Sequence, residues 1–200
     1  MRHRTGRSTR VVSQTARGGS AAAGAGREAR VGPAAEPATW QGGGMDDVVI
    51  RSSRPEDMTA VADLRWRWSV GEDGAVPTVT PDEYREAMSA FAAEHADSHR
   101  CVVAERDGEV LGMAWLAVHP RPPAPHRPRG RVTAELQTVY VHPDLRGGGV
   151  AGRLVTALLD LADELGAERT AVHSSVVGET LYRRLGFGDA RLLLQRPPED

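Results

Sequence analysis

One run constrains this chain more than any other: Val139-Tyr140-Val141-His142-Pro143-Asp144-Leu145-Arg146-Gly147-Gly148-Gly149-Val150-Ala151-Gly152-Arg153-Leu154. Its β-branched start reads as the end of a strand and its three consecutive glycines as a tight turn. The residues beyond the glycines read as an amphipathic helix, because Val150, Leu154, Leu158, Leu161 and Leu165 recur at steps of four, four, three and four. A helix opens with N–H groups that have no partner inside it and with the positive end of its dipole. Glycines remove the Cβ atoms that would hold a ligand away. The run therefore predicts an anion site suited to a phosphate, with a plain strand-to-helix turn as the bland alternative.

Gly147, Gly149 and Gly152 also match G-x-G-x-x-G, so a dinucleotide fold must be weighed. That fingerprint belongs after the first strand of a doubly wound domain and needs an acidic residue ending the second. Here several strand candidates precede the turn, and the next one ends at His173-Ser174 without an acid. The dinucleotide reading is the weaker one.

Composition enters through charge. The chain has 200 residues and a formal charge of −2, and its 25 basic side chains are all Arg. Lys and Asn are absent and Ile50 is the single Ile, which reads as a GC-rich genome. Residues 1–44 carry seven Arg against Glu28 and Glu36, whereas 45–200 carry 18 Arg against 25 acids. The first segment has too few large apolar residues to offset the entropy of ordering and reads as a disordered Arg/Gly/Ala-rich extension. It has no apolar core of a secretory signal. The acidic body is a poor general nucleic-acid binder, since phosphate contacts need clustered cations. No apolar run approaches the roughly 18–20 residues of a membrane span. A lone Cys101 excludes an internal disulfide and a cysteine-based zinc site, so no metal is expected, and it suits a reducing cytoplasm. Cys101 itself reads as a small buried hydrophobe.

From Met45 the element types alternate. Strands are expected over 48–51, 100–105, 110–118, 133–141, 170–173 and 190–195. Ser53-Arg54-Pro55-Glu56 and Thr80-Pro81-Asp82-Glu83 read as capping boxes opening two helices, with 71–79 a loop between them. Asp107-Gly108 signals a hairpin. The Pro/Arg-rich 119–131 is an irregular connector, 147–165 a helix and 179–185 a short helix. The order is β-α-α-β-β-β-α-β-α-β, mixed α/β in one domain over 45–200.

Arg146-Gly147-Gly148-Gly149-Val150-Ala151 fits [Q/R]-x-x-G-x-[G/A], and Leu181-Tyr182-Arg183-Arg184-Leu185-Gly186-Phe187 lies downstream. Together with Val141-His142-Pro143 and Arg153-Leu154, these residues resemble the GCN5-related N-acetyltransferases, the GNAT superfamily, over roughly 46–196. The resemblance implies a mixed, mostly antiparallel sheet flanked by helices, with central parallel strands 133–141 and 170–173 splaying apart to admit acetyl-CoA as co-substrate. It implies that backbone groups of Arg146, Gly147, Gly148, Gly149, Val150 and Ala151 hold the pyrophosphate, and that N–H groups near Val139 and Val141 polarise the carbonyl. A primary amine, on a small molecule or a peptide, would attack the thioester directly in a ternary complex. Tyr182 takes the place of the general acid, with packing of its ring on the sheet as the alternative. Glu135, an acid inside a β-rich run, and His173, ending the adjacent strand, are the candidate bases, and members without a dedicated base also exist. The competing reading is a non-catalytic acyl-CoA-binding or regulatory module of the same fold. Of the Trp66 and Trp68 pair, at i and i+2, one is expected to pack inward while the other meets substrate. Glu72, Asp73, Asp82, Glu83 and Glu86 could attract a cationic acceptor, though a solvated face is the simpler reading. No nucleic-acid or membrane partner is expected, and a homodimer is left open along with the acceptor.

Overall fold

Residues 101–104 and 111–117 are apolar at almost every position instead of every second one. A strand with no polar face has to be covered on both sides. The computed structural model, which describes residues 39–40 and 47–190, covers them so. Six strands form one sheet in sequence order: β1 (Thr39–Trp40), β2 (Val49–Ser52), β3 (His99–Arg106), β4 (Glu109–Pro120), β5 (Val132–Val141) and β6 (Ala167–Val172). Neighbours are antiparallel except β5 and β6, which run parallel. A parallel pair needs a crossover, and helix α3 (Val150–Glu164) supplies it.

α3 covers one face, where Leu154, Val155, Leu158 and Ala162 pack with Ile50, Val102, Ala114, Leu116 and Leu136. The other face carries α1 (Met58–Trp66) and α2 (Pro81–Glu94), with Met58, Val61, Leu64 and Met88 against Cys101, Val103, Met113, Trp115 and Tyr140. Gly112 makes the first contact possible. A Cβ there would stand 3.1 Å from Ala104 Cβ, 3.3 Å from Leu154 Cδ1 and 3.4 Å from the Tyr140 carbonyl oxygen. The β3–β4 hairpin turns as expected at Asp107 (φ 53°) and Gly108 (φ 81°), both left-handed as a type I′ turn requires.

Three local expectations change. Ser53 is not the cap of the first helix. The chain enters through a 3-10 turn at Pro55–Asp57, and the Asp57 carboxylate accepts from the Arg54 N–H at 2.6 Å. Asp57 is recruited there because it also takes a bidentate pair from buried Arg51, at 2.6 and 2.8 Å, while Arg51 reaches Glu105 from its other edge. Next, the first helix does not stop before Gly71. It widens into a π-helical segment, Arg67–Glu72, tied by its side chains to residues at and just beyond the end of β5. Finally, α3 starts at Val150 and not at Gly147, since Gly149 (φ 76°) is left-handed. The Thr80 box forms as expected, the Glu83 carboxylate accepting from the Thr80 N–H at 2.7 Å. Of the extension expected over 1–44, Thr39–Trp40 pairs with Arg51 and Ile50, and its other residues lie outside the described ones. So do 191–195 of the strand expected over 190–195.

Candidate active site

β5 and β6 pair from Val132↔Ala167 to Leu136↔Val172, and there the parallel ladder ends. β5 nevertheless continues to Val141, bonded on its other side to β4 through Thr138↔Trp115, Val139↔Ala114, Tyr140↔Met113 and Val141↔Gly112. The edge of β5 beyond Leu136 is thus left without a β6 partner among the described residues. The ladder ends where β6 itself ends, at Val172, and β6 is the last strand of the described sheet.

The glycine loop begins where β5 ends. Pro143–Leu145 form a 3-10 turn closed by the Arg146 N–H on the Pro143 carbonyl (3.0 Å) and anchored by buried Leu145. Gly147 (φ 83°) and Gly149 (φ 76°) are left-handed, and a Cβ on either would meet nothing within 4 Å. Only backbone conformation selects glycine at these two positions, and the space before them is open. The first bond of α3 runs from the Arg153 N–H to the Gly149 carbonyl at 3.1 Å. The N–H groups of Val150, Ala151 and Gly152 precede it and stay outside the helical ladder. Open space before glycine backbone at a helix N-terminus leaves these N–H groups accessible to an anion.

α4 (Glu179–Arg184) lies against the start of α3, because a Cβ on Gly152 would sit 3.6 Å from Leu181 Cδ1. The next residue, Tyr182, is half-buried against the α3-side core and meets Phe187 edge-on at 5.6 Å. Burial pushes its phenol above the usual range. It therefore stays protonated at neutral pH and can donate, while its ring also packs against the core.

Glu135 is half-exposed on β5, between Ala117 and Ala171 in the register, and its carboxylate lies 3.6 Å from His119 Nε2. His173 lies just past the end of β6, exposed, two residues beyond Ala171. Both candidate bases therefore belong to the β5–β6 neighbourhood. Trp66 and Trp68 are both half-buried. Trp68 packs on the α1/α2-side core, and Trp66 stacks obliquely on Tyr84 at 5.6 Å.

The sequence did not show what holds Arg146. Its Nε donates to the Val141 carbonyl (3.0 Å), and its Nη2 donates to both carboxylate oxygens of Glu72, each at 2.8 Å. The Tyr140 hydroxyl donates to Glu72 Oε1 at 2.7 Å. The Tyr140 hydrogen bond and the Arg146 guanidinium hold the Glu72 carboxyl below the usual carboxylate range. Nearby, Arg67 Nη1 donates to His142 Nε2 at 2.7 Å and Arg65 Nη1 to Thr138 Oγ1. The Arg146 guanidinium is thus drawn toward a carboxylate on the neighbouring helical segment. Only the acidity of the 72–73 stretch could have hinted at it.

A family model for the acetyltransferase (GNAT) family matches residues 59–187. Mycothiol acetyltransferase of Cellulomonas flavigena is 41% identical over 97 residues, 43% of this chain and 26% of that protein. Mycothiol acetyltransferase of Saccharomonospora viridis is 31% identical over 109 residues, 53% of this chain and 32% of that protein. The chain spans between a quarter and a third of the length of these curated relatives. Among solved structures, a predicted acetyltransferase with acetyl-CoA from Clostridium acetobutylicum superposes with a TM-score of 0.61 at 20% identity, over 75% of this chain and 96% of that one. That likeness shows the fold. The family match runs from α1 through α4 and takes in the glycine loop and Tyr182, so the chain belongs to the acetyltransferase (GNAT) family, whose co-substrate is acetyl-CoA.

Proposed function

We propose that this protein transfers the acetyl group of acetyl-CoA to a primary amine, on a small molecule or a peptide, by direct attack in a ternary complex. The observation that carries this reading is the end of the β5–β6 ladder at Leu136↔Val172, beside a left-handed glycine loop at a helix N-terminus. The names of the curated relatives support acetyl transfer as the reaction. Acetyl-CoA supplies the activated thioester. The chain's own groups do the rest. Backbone of Arg146 to Ala151 holds the pyrophosphate, and N–H groups near Val139 and Val141 stabilise the charge that develops on the carbonyl oxygen. The substrate ammonium must lose a proton before its nitrogen can attack, and Glu135 or His173 accepts it. As the new N–C bond forms, the C–S bond breaks and the Tyr182 O–H protonates the departing sulfur, while the second proton shed by the nitrogen restores the phenol. A half-buried phenol, held neutral, is suited to that step.

Thiol release from acetyl-CoA across a panel of small amines and peptides tests the reading. Turnover with at least one amine is expected, reduced roughly 10²–10⁴-fold in Tyr182→Phe, as the loss of a general acid predicts. CoA binding without thiol release from any amine would instead indicate a binding module of the same fold. An undiminished Tyr182→Phe rate at every pH would remove the general-acid role.

A further inference from the structure

Glu72 is 74 residues from Arg146 in sequence, yet its carboxylate accepts three hydrogen bonds at the mouth of the glycine loop, two from Arg146 Nη2 and one from the Tyr140 hydroxyl. Arg146 has a second commitment, because its Nε donates to the Val141 carbonyl, and its guanidinium lies 5.4 Å over the Tyr140 ring. The side chain of the loop's first residue is therefore held through its Nε and one of its two terminal nitrogens. Two further contacts, Arg65 to Thr138 and Arg67 to His142, bind the same helical stretch to the C-terminal half of β5 and to the start of the loop. A π-helical turn is an uncommon device that is frequent at functional sites, and here it ends on Glu72.

The Arg146 backbone is extended (φ −69°, ψ 149°), and the next residue turns left-handed. Holding the Arg146 side chain limits rotation just where the loop's N–H groups begin. Preorganised donors bind an anion better than donors that must be ordered during binding. We propose that Glu72 is a positioning residue for the CoA-binding loop: through Arg146 and Tyr140 it fixes the loop's first residue and joins the α1 side of the sheet to the CoA site. This inference rests on the reading of Gly147 to Ala151 as the pyrophosphate loop.

Calorimetric titration with CoA of the full chain and of Glu72→Ala, Glu72→Gln and Arg146→Ala variants tests it. Both residues are half-exposed, and exposed pairs contribute little to folding, so melting temperatures should stay close to that of the native chain. Glu72→Ala should bind CoA about tenfold more weakly, within the range of coupled contacts. Glu72→Gln, which keeps an oxygen for Tyr140 and Arg146, should recover most of that affinity. The Glu72→Ala, Arg146→Ala double variant should bind no more weakly than Arg146→Ala alone. The proposal is overturned if Glu72→Ala binds CoA as well as the native chain, if it binds more tightly because the carboxylate competes with the pyrophosphate, if Glu72→Gln is as weak as Glu72→Ala, or if the two losses multiply. A native chain that does not bind CoA would instead sink the reading of the loop.

Discussion

A thiol placed on a strand between two packed layers has little chance to ionise, because the thiolate would lose its hydration there. Cys101 is in that position on β3 within the α1/α2-side core, and burial pushes its thiol up to about 12. The folded protein should therefore resist a disulfide reagent at about pH 8, where a free thiol of ordinary acidity is partly ionised. Unfolding in urea should release one reactive thiol per chain. Rapid stoichiometric labelling of the native protein would contradict the packing. Arg51 shows the opposite solution to burial. It enters the core with both its partners, Asp57 and Glu105. Burial pushes the Asp57 carboxyl up, but the Arg51 hydrogen bonds and the Arg54 N–H outweigh it and leave it below the usual range. Asp57→Asn should thus cost about 1–3 kcal/mol, the penalty of a weakened buried charge, measured by urea denaturation. A loss within error would mean that Glu105 alone satisfies Arg51. At this scale Cys101 was legible in the sequence, since a lone cysteine in an apolar run is a hydrophobe. The Arg51 cluster was not, because Glu105 is 54 residues away.

At the scale of elements, the closeness of α3 to the sheet depends on a missing side chain. Gly112→Ala would place a Cβ 3.1 Å from Ala104 Cβ and 3.3 Å from Leu154 Cδ1, both inside the core. Overpacking of this kind costs about 1–3 kcal/mol, so the melting temperature should fall. Gly71→Ala meets nothing within 4 Å and should leave it nearly unchanged. Equal effects of the two substitutions would refute the packing argument. Element types tracked the sequence closely where the chemistry was local. The Asp107-Gly108 turn, the Thr80 cap and the four-and-three spacing of α3 each specify their own geometry within a few residues. The π-helical segment was not legible in this way, because the residues that hold it pair with Thr138, His142 and Arg146 on another element. Trp66 and Trp68 likewise took their places from Tyr84 and the α1/α2-side core.

Across the whole molecule, burial also sets the response to acid. His99 starts β3 and lies 5.0 Å from Phe91 and 5.5 Å from His95, ring to ring. Burial, then the charges of His95, His119 and Arg100, hold its imidazole below the usual value. A histidine that resists protonation when folded leaves the unfolded chain binding more protons as the pH drops. Its contribution to stability is whole above the unfolded pKa of about 6.5 and falls as the pH decreases below it. Asp57 acts in the same direction further down, keeping its contribution above about pH 4 and losing it as the pH falls through its depressed folded value. Urea midpoints should decline between about pH 7.5 and 5.5, and His99→Gln should flatten that decline. An identical slope in the variant would assign the effect elsewhere. The sequence by itself determined a set of local instructions: turn glycines, caps, helical spacing, an apolar run needing two covers, and the strand–loop–helix unit around Gly147 to Gly149. Those readings succeed because each depends on neighbours a few residues apart. The tertiary structure alone decided where the parallel ladder ends, which carboxylate holds Arg146, and that α4, which carries Tyr182, meets the start of α3 through Leu181. Those outcomes depend on backbone pairing, apolar packing and side-chain hydrogen bonds between elements far apart in sequence, and no local pattern records which of them meet.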